Sequence, residues 1–361
     1  MCIRDRDNSE LVDILSQTVD SDDILTQSIK NHGTVVLGMA PNNKLNTSLN
    51  INKFGLVVQG DAPNQFLNKY SGIQANLPSL EAASAGIGSM SIGNNDPIVR
   101  TMPTFELVNE TLVPSFPLEL VRVSIGASTY QIKSSNASSE KAFGEATGIN
   151  HIKLADLVMP TNADGSLWIY PTATKNLNVI PAWKVLQDDF PLESFEGKVT
   201  IVGTSASGLL DLRSTALEKN IPGVTIAAQF VQQIYANDFL KRPDWLLGLE
   251  FLVGLIISIL ISLSIQRQGP LGGLGVYILG SAGILYGSFY FFTTLRYLID
   301  PISPLVICSI AYLVITFYNF LFTELERKKV RTAFSQYLAP AMEEKLSLIH
   351  ISETKRRYAS S

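Results

Sequence analysis

"FEGKVTIVGTSASGLLDLRSTALEKNIPGVTIAAQFVQQIYANDFLKRPDW", residues Phe195 to Trp245, holds the end of one fold and the start of another. "KVTIVG" is a short apolar run bounded by glycines, the pattern of a buried strand. After a loop, "PGVTIAAQFVQQIYANDFL" places Ile226, Phe230, Ile234 and Tyr235 on one helical face, behind Pro222 and Gly223. Charge then thins abruptly. From Leu246 to Phe322 the chain is almost uncharged and rich in Leu, Ile, Gly and aromatic residues. A water-soluble front end is joined to a membrane block.

Upstream, helix and strand signals alternate. "DDILTQSIKNHG" opens with aspartates and closes at Gly33, which predicts a helix, and "TVVLGM" reads as a buried strand. "FGLVVQG" and "SLWIYP" read as further strands, and "PAWKVLQDD" as a short helix begun at Pro181. The mixture predicts an α/β domain with a central sheet over residues 7–244, followed by an all-α block of three membrane helices.

Three segments meet the length of about 20 apolar residues needed to span a bilayer: 246–265, 271–292 and 302–322. A buried helical core is the alternative, but the short linkers "QRQGP" and "TTLRYLIDP" leave no amphipathic face for water. Lys241, Arg242 and Arg296 fall on one side of such a block; Arg267, Arg327, Lys328, Lys329 and Arg331 fall on the other. The larger group predicts the cytoplasmic side, with the front domain outside. Glu250, one turn into the first segment, reads as a carboxylate snorkelling at the outer boundary.

Several functions are excluded. A net charge of −4 and the lack of arginine-rich or aromatic-interleaved stretches leave no surface for nucleic acid. Cys2 and Cys308 cannot build a disulfide framework or a CxxC metal site. "VGTSASGLLD" lacks the GK[ST] of a phosphate loop, because Leu209 follows Gly208, and lacks the second glycine of a GxSxG elbow. His32 and His151 are isolated, and Asp188, Asp189, Glu193 and Glu196 read as a solvated loop. Neither a catalytic set, nor a cofactor site, nor a metal site emerges.

The opening stretch resembles the second type of CHASE domain, the extracellular sensor of bacterial cyclases and histidine kinases. Gly197 and Lys198 lead the strand ending in Val202 and Gly203, a small-residue loop with Ala206 reaches Asp211, and Pro222, Gly223 and Val224 precede the last helix. Arg242 and Pro243 follow it. Asp96 and Arg100 in "NDPIVRTMP" resemble the family's Asp-x-x-x-Arg element, and "PSFPLELVR" its apolar helix. Ala227 and Ala228 replace the family's His-Ala pair, so no ligand role passes to that position. Thr215 and Ala216 stand in place of its Thr-Pro.

The same resemblance extends past the third segment. Phe334, Tyr337 and Pro340 hold the places of a Phe-Gly-Arg-Tyr-x-x-Pro element that joins such spans to a class III cyclase domain, with Ser335 and Gln336 departing. A helix running from Phe322 to Tyr337, then a new one begun at Pro340, makes residues 323–346 a cytoplasmic linker to an effector. "MCIRDR" (1–6) and "SLIHISETKRRYASS" (347–361) resemble translated adapter read-through and are expected to lie outside the fold. The resemblance implies a multi-pass inner-membrane receptor in the lipid bilayer, with its sensor in the periplasm, an unknown extracellular ligand and a homodimeric state. A histidine kinase output and a membrane-tethered periplasmic binding module or enzyme are the alternatives.

Overall fold

The computed structural model describes residues 20–44, 53–92, 97–137, 147–205 and 211–358, with side chains through 333. The chain divides into two units, Met1–Trp245 with Phe292–Leu298, and Leu246–Phe291 with Ile299–Ser361.

The first unit is mixed α/β. Helix α1 (Ser21–His32) begins as its aspartates imply, with the Asp20 carboxylate accepting from the Asp22 N–H at 2.9 Å. It ends at Gly33, whose φ of 74° lets its N–H reach the Ile29 carbonyl. Strands β1 (Val36–Pro41), β2 (Gly55–Gln59), β3 (Lys69–Tyr70) and β4 (Ile73–Gln74) follow, then the short helix α2 (Pro78–Ala83) and β5 (Gly86–Ser89). Next come β6 (Ile98–Val99), β7 (Thr101–Pro103), β8 (Phe105–Val108), β9 (Thr111–Pro114) and helix α3 (Phe116–Ser124). The remaining elements are β10 (Thr129–Ser134), β11 (Ile149–Leu154), β12 (Leu157–Pro160), β13 (Ser166–Trp168), α4 (Ala182–Val185), β14 (Leu212–Thr215), β15 (Ile221–Pro222) and α5 (Gly223–Ala236).

Among the described residues the strands form small sheets ordered β4-β1-β5, β12-β11-β10-β2, β13-β7, β15-β14-β6 and β3-β8-β9. β1 and β5 are parallel, in register from Val36↔Gly86 to Met39↔Ser89. α3 packs closely on this pair, because Gly88 has no side chain: a Cβ there would lie 2.5 Å from Phe116 Cα. The main core joins Tyr130 and Ile132 of β10, Ile149, Ile152 and Leu154 of β11, Leu118 and Val121 of α3, and Ile226, Phe230 and Ile234 of α5. Phe54, Phe105 and Tyr130 meet edge to face within it.

Two expectations change here. "KVTIVG" is not a strand: Val199 and Ile201 turn toward the core, but the run joins no described strand pairing, and Val202 is 90% exposed. Tyr235 is not on the buried face of α5; it is half-exposed and its hydroxyl bonds to that of Ser124.

The second unit is helical. Helix α6 (Trp245–Tyr290) breaks at Gly269, whose φ of 78° and ψ of −174° are non-helical, just before Pro270. Its two arms fold back on each other. In a continuous helix Ile257 and Gly280 would be roughly 35 Å apart at 1.5 Å per residue; instead a Cβ on Gly280 would lie 2.8 Å from Ile257 Cγ2. A π-helical turn (Phe291–Leu295) and a short loop lead to α7 (Ile302–Tyr358), which packs on the arms through Cys308, Leu305, Tyr312 and Ile315. Tyr277 stacks on Tyr312 and bonds to Ser309 at 2.9 Å.

Glu250 does not snorkel. It is 3% exposed, and its Oε1 accepts the Asp300 N–H at 2.8 Å. Asp300 in turn caps α7 by accepting from Ile302 N–H and Ser303 Oγ. The acid thus fixes a helix entry, because burying it on a backbone donor satisfies one of its oxygens. α7 also runs unbroken through Pro340, where a new helix was expected: a proline removes one backbone bond and can kink a helix without ending it.

Candidate functional site

Of the motif residues, Gly203, Asp211, Pro222 and Gly223 converge at the N-terminus of α5. Pro222 is the N-cap residue, with φ −60° and ψ 142°, and the Gly223 N–H donates to the Asp211 carbonyl at 3.0 Å. A Cβ on Gly203 would lie 2.6 Å from Val224 Cγ2, and one on Gly223 would strike the Asp211 carboxylate. Asp211 therefore organises the turn through its backbone oxygen, while its half-exposed side chain sits 3.7 Å from Arg213.

The other motif residues serve elsewhere. Gly197, at φ 67°, turns the chain after Leu192–Phe195, and Lys198 is exposed. Arg100 is exposed, with its carbonyl accepting from Ile169 N–H at 2.9 Å, next to the β6–β14 pairing. Pro243 lies between the Lys241 bridge and α6. Asp96 and Ala206 fall outside the described residues, and Phe334, Tyr337 and Pro340 lie on α7 beyond the described side chains.

Buried ionisable groups lie on α3, β8 and β10. Arg122 binds Glu119 twice within α3 and also donates to the carbonyls of Ala85 and Ala127. Tyr130 Oη donates to Glu119 Oε2 at 2.7 Å. The readable signal is spacing: Glu119 and Arg122 are three apart beside Leu118 and Val121, so they share a buried face. Glu106 of β8 is fully buried, with Ser89 Oγ donating to Oε2 at 2.5 Å. Burial pushes its carboxyl above the usual range, against the opposing pull of Ser89, Ser91 and Tyr70.

An open depression of about 400 Å³ is lined by Thr34, Lys53, Phe54 and Arg122. Lys53 Nζ is spent on the carbonyls of Ala82 and Ser84 at the end of α2, and Arg122 on Glu119. Among the described residues no three His, Cys, Asp or Glu side chains gather as a metal site.

A further polar cluster of the first unit lies at the far end of α5. Gln233 is buried; its Nε2 donates to Trp168 O at 2.8 Å and its Oε1 accepts from Tyr170 N–H at 2.9 Å. Asn237 (φ 52°) ends the helix, and Asp238 receives both arms of the Arg296 guanidinium, Nε to Oδ1 at 2.6 Å and Nη2 to Oδ2 at 2.9 Å. Arg296 also lies over the Tyr170 ring, 4.4 Å from its centroid, and donates to its hydroxyl at 3.2 Å.

The CHASE2 domain family matches residues 4–264. The chain belongs to the CHASE2 family. CHASE2 is an extracellular sensor domain family, not a catalytic one. Neither a curated protein nor a solved structure matches the chain. Two helical runs, Trp245–Leu295 and Ile302–Ala333, are long and apolar enough to cross a membrane. Most of their apolar side chains are not packed inside the chain, Leu279, Tyr286, Leu313 and Phe317 among them, as a membrane anchor requires.

Proposed function

We propose that this CHASE2 chain is the sensory and membrane-spanning part of a bacterial transmembrane receptor that controls a class III adenylate cyclase domain. The observation that carries the reading is the family match running directly into apolar helices with outward-facing apolar side chains. Counting the two arms of α6 separately, the chain crosses the inner membrane three times, with the CHASE2 unit in the periplasm and Lys328 in the cytoplasm. The sensor answers an extracellular ligand, and the receptor works as a homodimer. The cyclase output rests on the resemblance at Phe334, Tyr337 and Pro340.

Topology is the first test. With Cys2 and Cys308 replaced by serine, cysteines are placed at the exposed Asp188 and Thr332 and treated with an impermeant maleimide in spheroplasts. Asp188→Cys is expected to react at once and Thr332→Cys only after permeabilisation; the reverse result overturns the reading. For the output, the chain is fused after Leu346 to a class III cyclase domain. Cyclic AMP production that ignores disruption of the sensor core by Arg122→Met would reject the receptor role.

A further inference from the structure

Phe292–Leu298 lies between the second apolar arm and α7 in sequence, yet it folds as part of the sensor unit. Its backbone pairs with the segment after α5: the Lys241 N–H donates to Arg296 O at 2.8 Å and the Leu298 N–H donates to Lys241 O at 3.0 Å. Phe292 stacks on Tyr170 at 5.8 Å, and Tyr297 meets Trp245 edge on at 6.0 Å. Arg296 itself has φ 59°, a left-handed conformation that disfavours any residue with a Cβ. Its fork on Asp238 and its stack on Tyr170 hold it there. A strained residue held by specific contacts is a reason to look for function.

We propose that Phe292–Leu298 is a strap through which the sensor drives the third apolar helix, and that Arg296 is its positioning residue. This deepens the receptor reading and rests on it. Both walls of the socket are fixed to the end of α5: Asp238 follows the helix cap directly, and Tyr170, just after β13, donates its backbone N–H to Gln233. A shift of α5 therefore moves both walls together, and Arg296 follows them. Only Ile299, Asp300 and Pro301 separate the strap from α7, and three residues span at most about 11 Å when extended, so little slack absorbs the motion. The sensor thus grips α6 through the covalent chain at Asp244 and α7 through the strap.

The test uses the full chain in nanodiscs and its cyclase fusion after Leu346, comparing wild type with Arg296→Ala, Arg296→Gly and Arg122→Met. Arg296→Gly separates coupling from folding, because it relieves the left-handed backbone while removing the socket contact. The strap predicts an unchanged or higher melting temperature for Arg296→Gly. It predicts about ten-fold faster hydrogen exchange at the Lys241 and Leu298 amides in both Arg296 variants. Fusion output should change by about five-fold or more in both, in the direction set by Arg122→Met. Output that responds to Arg122→Met but is the same in Arg296→Gly and wild type overturns the strap and leaves the receptor standing. Output indifferent to Arg122→Met as well removes the receptor reading, and the strap with it. Unchanged exchange at both amides shows that Arg296 does not hold the strap, and also overturns the proposal.

Discussion

Arg122 closes on Glu119 through two hydrogen bonds, Nη2 to Oε1 at 2.6 Å and Nε to Oε2 at 2.9 Å, with the carboxylate fully buried and the guanidinium nearly so. A buried pair of this kind is costly to break and cheap to replace. Arg122→Met strands the Glu119 charge and frees the carbonyls of Ala85 and Ala127, and should cost about 3–5 kcal/mol. Glu119→Leu with Arg122→Met should recover a large part of that, since Tyr130 Oη retains the Leu118 carbonyl at 3.3 Å. Denaturant titration of the wild type and these two variants decides it; a double variant no more stable than Arg122→Met refutes the pairing argument.

Glu106 should make stability depend on pH with a definite sign. Burial raises its folded pKa above the ordinary carboxylate value of about 4.3, so the native state holds the proton more tightly than the unfolded chain. Stability is then greatest below the unfolded pKa and is lost as pH rises through the raised folded value. Glu106→Gln, which mimics the protonated acid and can still bond Ser89, should flatten the curve across that window. An unaltered slope from pH 4 to 8 would contradict it.

Asp211 and Gly223 should be energetically coupled. Gly223→Ala pushes a methyl into the Asp211 carboxylate, whereas Asp211→Asn keeps the carbonyl that holds the Gly223 N–H and should shift stability by no more than about 0.5 kcal/mol. In a double-mutant cycle, Asp211→Ala should relieve the Gly223→Ala penalty by about 0.5–2 kcal/mol. Strict additivity of the two changes would show that the side chains do not meet.

Glycines in the apolar helices are not equivalent. Gly280 faces Ile257 across the folded-back arms, and Gly283 faces open space. In detergent, Gly280→Leu should lower the melting temperature markedly and Gly283→Leu should leave it close to wild type. Equal effects would mean that the arms do not pack along this face.

Much of the secondary structure was legible locally. The α1 cap at Gly33, the strand in "TVVLGM", the helix begun at Pro181 and the buried face at Ile226, Phe230 and Ile234 all follow from periodicity and end signals. These are short-range effects, set by dihedral preferences and by which side chains avoid water. "KVTIVG" marks the limit of that reading, because an apolar run becomes a strand only where another strand offers its backbone, and Tyr235 shows that a helical face ends where neighbouring elements end.

The α/β class of the front unit, the membrane-length apolar runs and, through the stretch from Gly197 to Pro243, the kinship with CHASE2 sensors can be read from residue pattern without a structure. The roles of the charged residues emerge only from long-range packing. Glu250 became a buried acceptor for the Asp300 N–H, Glu106 a buried acid beside Ser89, and Arg296 a partner of Asp238 and Tyr170, residues 58 and 126 positions away. A charge in a loop or an apolar run carries no local sign of its partner. What fixes its role is the need to offset desolvation, and that is met by whichever polar groups the fold brings within hydrogen-bonding reach.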